Sequence, residues 1–190
     1  MRYPNLPTGL SNLETSRWAF DQAARVPAEQ AIVEIGVYRA RTTCWLASGA
    51  QSGHGAHVWG VDPWDLPQHD PVKPKFRDSK QRRLANSHVR GAGVARGVTL
   101  VQNFSVPEGL NWSGPEIGFI YIDGDHTYDG CLADWNAWRP HLTTDAVIAF
   151  DDYCDSRHPG VKQVVDQLVA EGQITKPVII GGRLAVSRLL

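Results

Sequence analysis

The chain has 190 residues, 42% of them apolar and 21% charged, with a formal net charge of −1. That length suits one domain around one core, and the near-neutral balance argues against a nucleic-acid or anionic-membrane partner. No apolar run approaches the ~18 residues of a membrane helix, residues 1–10 lack the apolar segment of a secretion signal, and Cys44, Cys131 and Cys154 form no CxxC pair. A cytoplasmic protein is expected, with Cys131 and Cys154 as small buried residues.

In chain order, helical periodicity alternates with short apolar runs. A helix over 12–25 precedes a strand at 31–36 (AIVEIG), and a second helix begins after a tight turn, over 42–48. A strand at 57–62 (HVWGVD) leads to an irregular stretch, 63–77, with four prolines; a loop this long is usually functional. It follows a strand end, where ligands bind in parallel sheets, so a lid is expected there. A polar helix over 78–90 carries the basic run Lys80-Gln81-Arg82-Arg83, read as a solvated face. Strands follow at 98–102 and 117–123, then a helix at 129–138 with Leu132, Trp135 and Trp138 inward, ended by Pro140. A strand at 146–151 precedes an amphipathic helix over 161–171, with Val161, Val164, Val165 and Leu168 on one face. Strands at 178–180 and 184–186 join through Gly181-Gly182.

Strands alternating with helices imply right-handed crossovers. The last connection is too short for a crossover, so its strands are antiparallel. The expected fold is a single α/β domain over 1–190, doubly wound and Rossmann-like. Its mainly parallel seven-stranded sheet ends in an antiparallel C-terminal hairpin strand.

Three groups of residues carry candidate chemistry. In VEIGVYRARTT (33–43) a strand runs into Gly36 and then a helix, a turn that lets backbone N–H groups approach a ligand. Ala40 stands where a dinucleotide fingerprint has glycine, and Glu34 would repel a pyrophosphate but suit a cationic amino-acid moiety. Asp62 ends the second strand, where an acid accepts from ribose hydroxyls; Trp64 either covers an adenine or packs in the loop. Asn103 and Ser105 follow the third strand, at the same edge of the sheet. Asp123 and Asp125 end the fourth strand (IDGDH), and Asp151 and Asp152 end the fifth (FDDY). Parallel neighbouring strands bring these four carboxylates together. Like charges so close call for a cation, and Mg²⁺ suits carboxylate oxygens. His54 and His57, at HxxH spacing without a third ligand, are read as surface residues, and His69, His88, His141 and His158 show no partner in sequence.

The motifs VEIGVYRARTT, VWGVDPWD, YIDGDHTYDGCLADWNAW and VIAFDDY resemble the class I methyltransferases dependent on S-adenosylmethionine (SAM). They are most similar to the branch holding metal-dependent sugar O-methyltransferases, over roughly 14–186. The resemblance implies a SAM site lined by Glu34, Gly36, Asp62, Asn103, Ser105 and Asp123, and a Mg²⁺ site at Asp123, Asp151 and Asp152. It implies a general base at His126 or Asp125 and a sugar, polyol or other small-molecule acceptor, and leaves a homo-oligomer open. The alternatives are a metal-independent methyltransferase whose acids are structural and a catalytically silent SAM-fold subunit. A nicotinamide dehydrogenase is disfavoured by Ala40 and the antiparallel tail.

Overall fold

The structure is a computed structural model that describes residues 12–64 and 79–190. Helix α1 (Leu13–Ala23) starts at Asn12, whose side chain accepts from the Thr15 N–H at 2.9 Å; such a cap satisfies one of the orphan donors of a helix start. Then come β1 (Ala31–Ile35), α2 (Arg41–Ser52), β2 (His57–Asp62), α3 (Ser79–Gly91), β3 (Val98–Gln102), α4 (Ser105–Leu110) and β4 (Ile117–Ile122). The chain continues through α5 (Tyr128–Trp138), β5 (Leu142–Phe150), α6 (Pro159–Ala170), β6 (Val178–Ile180) and β7 (Leu184–Arg188).

Seven strands form one sheet in the order β3-β2-β1-β4-β5-β7-β6, parallel except at β7, which runs antiparallel to both β5 and β6. Strand β1 pairs with β2 on one side and β4 on the other. The chain thus winds outward to β3, returns to β4 and winds the other way. The carboxyl ends of β1 and β4 flank the switch point, where such sheets bind ligands.

The central strands are buried on both faces, so their side chains feed two cores. In β4, Phe119 and Tyr121 join Ala19, Ala23, Leu46 and Ala47 of α1 and α2. Ile120 and Ile122 join Trp135, Val161, Val164 and Leu168 of α5 and α6. Both faces are therefore dry, as a doubly wound sheet requires, and each fully buried aliphatic side chain contributes about 1.5–3 kcal/mol.

The departures from the sequence reading are local. Strand β5 begins at Leu142, four residues before the expected 146, because Leu142 still pairs with Ile117. Helix α4 was not expected. Cys131 is buried, but Cys154 is exposed on the turn after β5. His57 is half-buried within β2 and bonded to Thr99 Oγ1 at 2.8 Å, rather than lying in a surface loop. In the basic run Lys80, Arg82 and Arg83 are exposed, while Gln81 is buried and accepts from Arg39 Nε. Residues 65–77 of the expected lid lie outside the described residues, as do residues 1–11. No helix among the described residues is long and apolar enough to cross a membrane.

Candidate active site

Gly36 follows β1 with φ 85°, and a Cβ there would lie 2.0 Å from the Asp123 carbonyl oxygen. Only glycine permits both that conformation and that approach, so Gly36 lets the ends of β1 and β4 close on each other. The turn continues through Tyr38 (φ 51°) and Ala40 (φ 61°), both left-handed. Ala40 therefore occupies a conformation that favours glycine, which costs roughly 1–2 kcal/mol. Asp62 offsets that strain. Its Oδ2 accepts from the N–H groups of Val37 (2.9 Å) and Tyr38 (2.7 Å), and its Oδ1 from Trp64 N–H (2.7 Å). A carboxylate has about four lone-pair positions, and the described residues fill three of them at Asp62. Burial raises its pKa, against the pull of those three N–H groups. Trp64 is fully buried and donates from Nε1 to the Tyr38 carbonyl; it packs against the turn.

Glu34 lies beneath this turn, buried and bonded to the Thr43 hydroxyl of α2. Burial pushes its pKa well up, with Asp123 and Asp62 adding to the shift. Its bond to Thr43 ties the end of β1 to the first turn of α2.

At the other half of the switch point, Asp123 N–H donates to the Ile35 carbonyl (2.8 Å), which fixes the end of β4. Its Oδ1 stands 3.0 Å from His126 Nε2. Burial raises the Asp123 pKa to about 7, with Asp151 adding and His126 opposing. Asp125 turns away: it is exposed, and its Oδ1 accepts from Thr127 N–H (2.9 Å) at the start of α5. Its backbone N–H is held by Asp134 of α5, which also accepts from the Ser105 hydroxyl. Ser105 Oγ in turn accepts from Trp138 Nε1 at 2.9 Å. Burial lifts the Asp134 pKa to about 6. Asn103 is engaged by Glu108 (2.9 Å) and by Phe104 N–H (2.9 Å).

The two aspartates after β5 have a cation that the sequence reading missed. Phe150 pairs with Ala185 across β5 and β7, so Arg183, just before β7, falls beside Asp151 and Asp152. Its Nε lies 2.6 Å from Asp151 Oδ1, and its Nη2 3.3 Å from Asp151 Oδ2 and 2.8 Å from Asp152 Oδ1. Tyr121 donates to Asp151 Oδ2 at 3.1 Å, and Asp152 N–H to Asp151 Oδ1 at 2.9 Å. A guanidinium thus lies against two of the four carboxylates for which Mg²⁺ was expected. Both oxygens of Asp151 are hydrogen-bonded, whereas Asp152 Oδ1 is paired with Arg183 by charge and has no hydrogen-bond partner among the described residues. What remains open toward His126 is Asp152 Oδ2, 3.5 Å from His126 Nε2 and 4.0 Å from His158 Nε2. His158 was also missed, because nothing in its sequence neighbourhood indicates that α6 starts against the His126 turn.

A family described as a methyltransferase domain matches residues 33–153. The chain is 38% identical to an uncharacterised protein, R132, of Acanthamoeba polyphaga mimivirus, over 76% of this chain and 61% of that protein, so it spans about three-fifths of the relative's length. Its fold is similar to that of an O-methyltransferase from Bacillus cereus in complex with SAH (TM-score 0.71, 18% identity, covering 98% of this chain and 85% of that one). It is also similar to that of a SAH-bound methyltransferase from Podospora anserina (TM-score 0.74, 15% identity, 95% and 80%).

Proposed function

The chain belongs to the methyltransferase-domain family, and from that premise we propose that it transfers the methyl group of SAM to a hydroxyl of a small molecule. The observation that carries this reading is the pairing of His126 with Asp123 at 3.0 Å, on a strand end that Gly36 draws against the turn after β1. A proton acceptor therefore stands at the switch point, beside the turn that would hold the cofactor. The SAH bound to the Bacillus cereus and Podospora anserina proteins supports the choice of cofactor.

When bound, SAM supplies a methyl carbon on a positively charged sulfur. On transfer the acceptor oxygen would bond to that carbon as the carbon–sulfur bond breaks, with the electron pair leaving on sulfur as S-adenosylhomocysteine (SAH). His126 takes the hydroxyl proton, and the Asp123 carboxylate stabilises the imidazolium that forms. Imidazole, with an ordinary pKa of about 6.5, suits this near neutral pH. Asp125 is the weaker candidate for base, since its carboxylate caps α5. Asp62 keeps one lone pair for a ribose hydroxyl. Asn103 and Ser105 support the rim through Glu108 and Trp138, with adenosine contact left to their remaining hydrogen-bonding capacity. Holding the acceptor in line with the methyl carbon supplies much of the remaining rate.

Mg²⁺ at Asp123, Asp151 and Asp152, which the resemblance implies, would have to displace Arg183 and Tyr121 from the Asp151 carboxylate, which favours a reading without the ion. The reading is therefore of a metal-independent transfer in the cytoplasm. A sugar or polyol is the acceptor class the resemblance implies, and the whole protein's substrate is part of the proposal. His126→Ala should cut turnover about 10²–10⁴-fold while leaving SAH affinity unchanged by calorimetry. A fully active variant would remove His126 from the chemistry.

A further inference from the structure

His126, Asp152 and His158 come from two different strand-to-helix connections yet converge. The ligand-capable atoms of the three side chains lie within 4.8 Å of one another. Asp152 is only 6% exposed; its Oδ1 lies 2.8 Å from Arg183 Nη2 as an ion pair without a hydrogen bond, and its Oδ2 faces both imidazoles. The spacings of 3.5 and 4.0 Å from Oδ2 to the two Nε2 atoms exceed an ordinary hydrogen bond. They match the separation of two donors across one ion, since two bonds of about 2.1 Å span at most ~4.2 Å. The imidazole rings lie 4.4 Å apart, tilted by 38°, an arrangement in which two protonated rings would repel.

The backbone holds this convergence in place. A Cβ on Gly160 would lie 2.3 Å from Tyr128 N and 2.7 Å from the His126 carbonyl oxygen, so the first turn of α6 sits directly on the His126 turn. His158 immediately precedes that helix, with Pro159 at its first position. The donor set is two nitrogens and one carboxylate oxygen, with an arginine behind the carboxylate as its orienting partner.

We propose that His126, Asp152 and His158 form a binding site for a divalent transition ion of the zinc class, with its remaining coordination positions open to solvent. Imidazole ligands suit Zn²⁺ and its neighbours, whereas Mg²⁺ demands an all-oxygen octahedron that these residues do not supply. The site stands independently of methyl transfer; only its consequence rests on that reading. His126 Nε2 cannot hold an ion and still pair with Asp123, so ion loading opposes the arrangement proposed for proton removal and makes the ion a negative regulator.

The test is calorimetric titration of the full chain, without SAM, against Zn²⁺ and Mg²⁺, with Co²⁺ as a visible-absorption probe of nitrogen ligation. The expected result is one Zn²⁺ per chain, Mg²⁺ much weaker, and a Co²⁺ band that fades on adding Zn²⁺. His158→Ala and Asp152→Asn should each weaken Zn²⁺ about 10–100-fold, with thermal melting confirming the fold and His158→Gln standing in if the alanine variant melts early. Equal Zn²⁺ affinity in a folded His158 variant, Mg²⁺ binding as tightly as Zn²⁺, or no ion bound overturns the site. SAH titration of the same protein reports separately on the methyltransferase reading.

Discussion

His126 and Asp123 are three residues apart in sequence, and their pairing needs only the turn that follows β4. Asp123→Asn keeps the shape of that pair but removes the charge that stabilises an imidazolium. Turnover should fall about 10²-fold or more and the acid limb of the pH–rate profile should shift, with SAH affinity nearly intact; an unshifted profile would detach Asp123 from the base. Asp62→Ala removes a ribose acceptor together with the brace on Val37 and Tyr38, and should weaken SAM by about 2–4 kcal/mol in calorimetry. Unchanged affinity would take Asp62 out of the site. These acids were legible because each closes an apolar strand. Arg183 was not: it is 32 positions from Asp151 and reaches it only through the antiparallel register of β7. Arg183→Met would leave two carboxylates without their cation and should cost about 3–5 kcal/mol in denaturant unfolding.

Elements position these residues through a few close contacts. The approach of β1 to β4 depends on Gly36, where an added methyl meets backbone at 2.0 Å. Gly36→Ala should therefore destabilise by more than about 3 kcal/mol, beyond ordinary overpacking, and abolish SAH binding in any protein that still folds. Helix α5 holds the IDGDH turn through Asp134, whose folded pKa of about 6 lies above the ordinary 3.8. The folded chain retains a proton there that the unfolded chain releases. This contribution is complete below about pH 4 and is lost as pH rises through about 6, at most ~3 kcal/mol. Asp134→Asn should flatten that slope in urea unfolding at pH 4 and pH 7; a slope like that of the parent would assign it to other groups. The bounds of β2, β3 and β6 were legible from apolar runs between turn residues. Helix α4 was not, because SVPEGL carries Pro107 and is too short to show a period. The early start of β5 is likewise set by its pairing to β4 rather than by its own polar residues Thr143, Thr144 and Asp145.

At the scale of the molecule, one reversed strand decides how the site is charged. A parallel sheet alone would leave Asp151 and Asp152 facing Asp123 with only a diffusible cation between them. The hairpin that reverses β7 delivers Arg183 to Asp151 and Asp152. Methyl transfer should consequently persist in EDTA, and loss of activity on chelation, restored by Mg²⁺, would return the aspartates to a metal. The layout was legible from the alternation of elements and the short final connection; the neutralisation was not, since it depends on which strand the hairpin joins. The central claim, that this switch point holds SAM, is met most directly by calorimetric titration of SAH into the full chain. Saturable binding of one SAH per chain is expected, lost in Gly36→Ala. Absence of heat at millimolar SAH, with the protein folded by thermal melting, would contradict it.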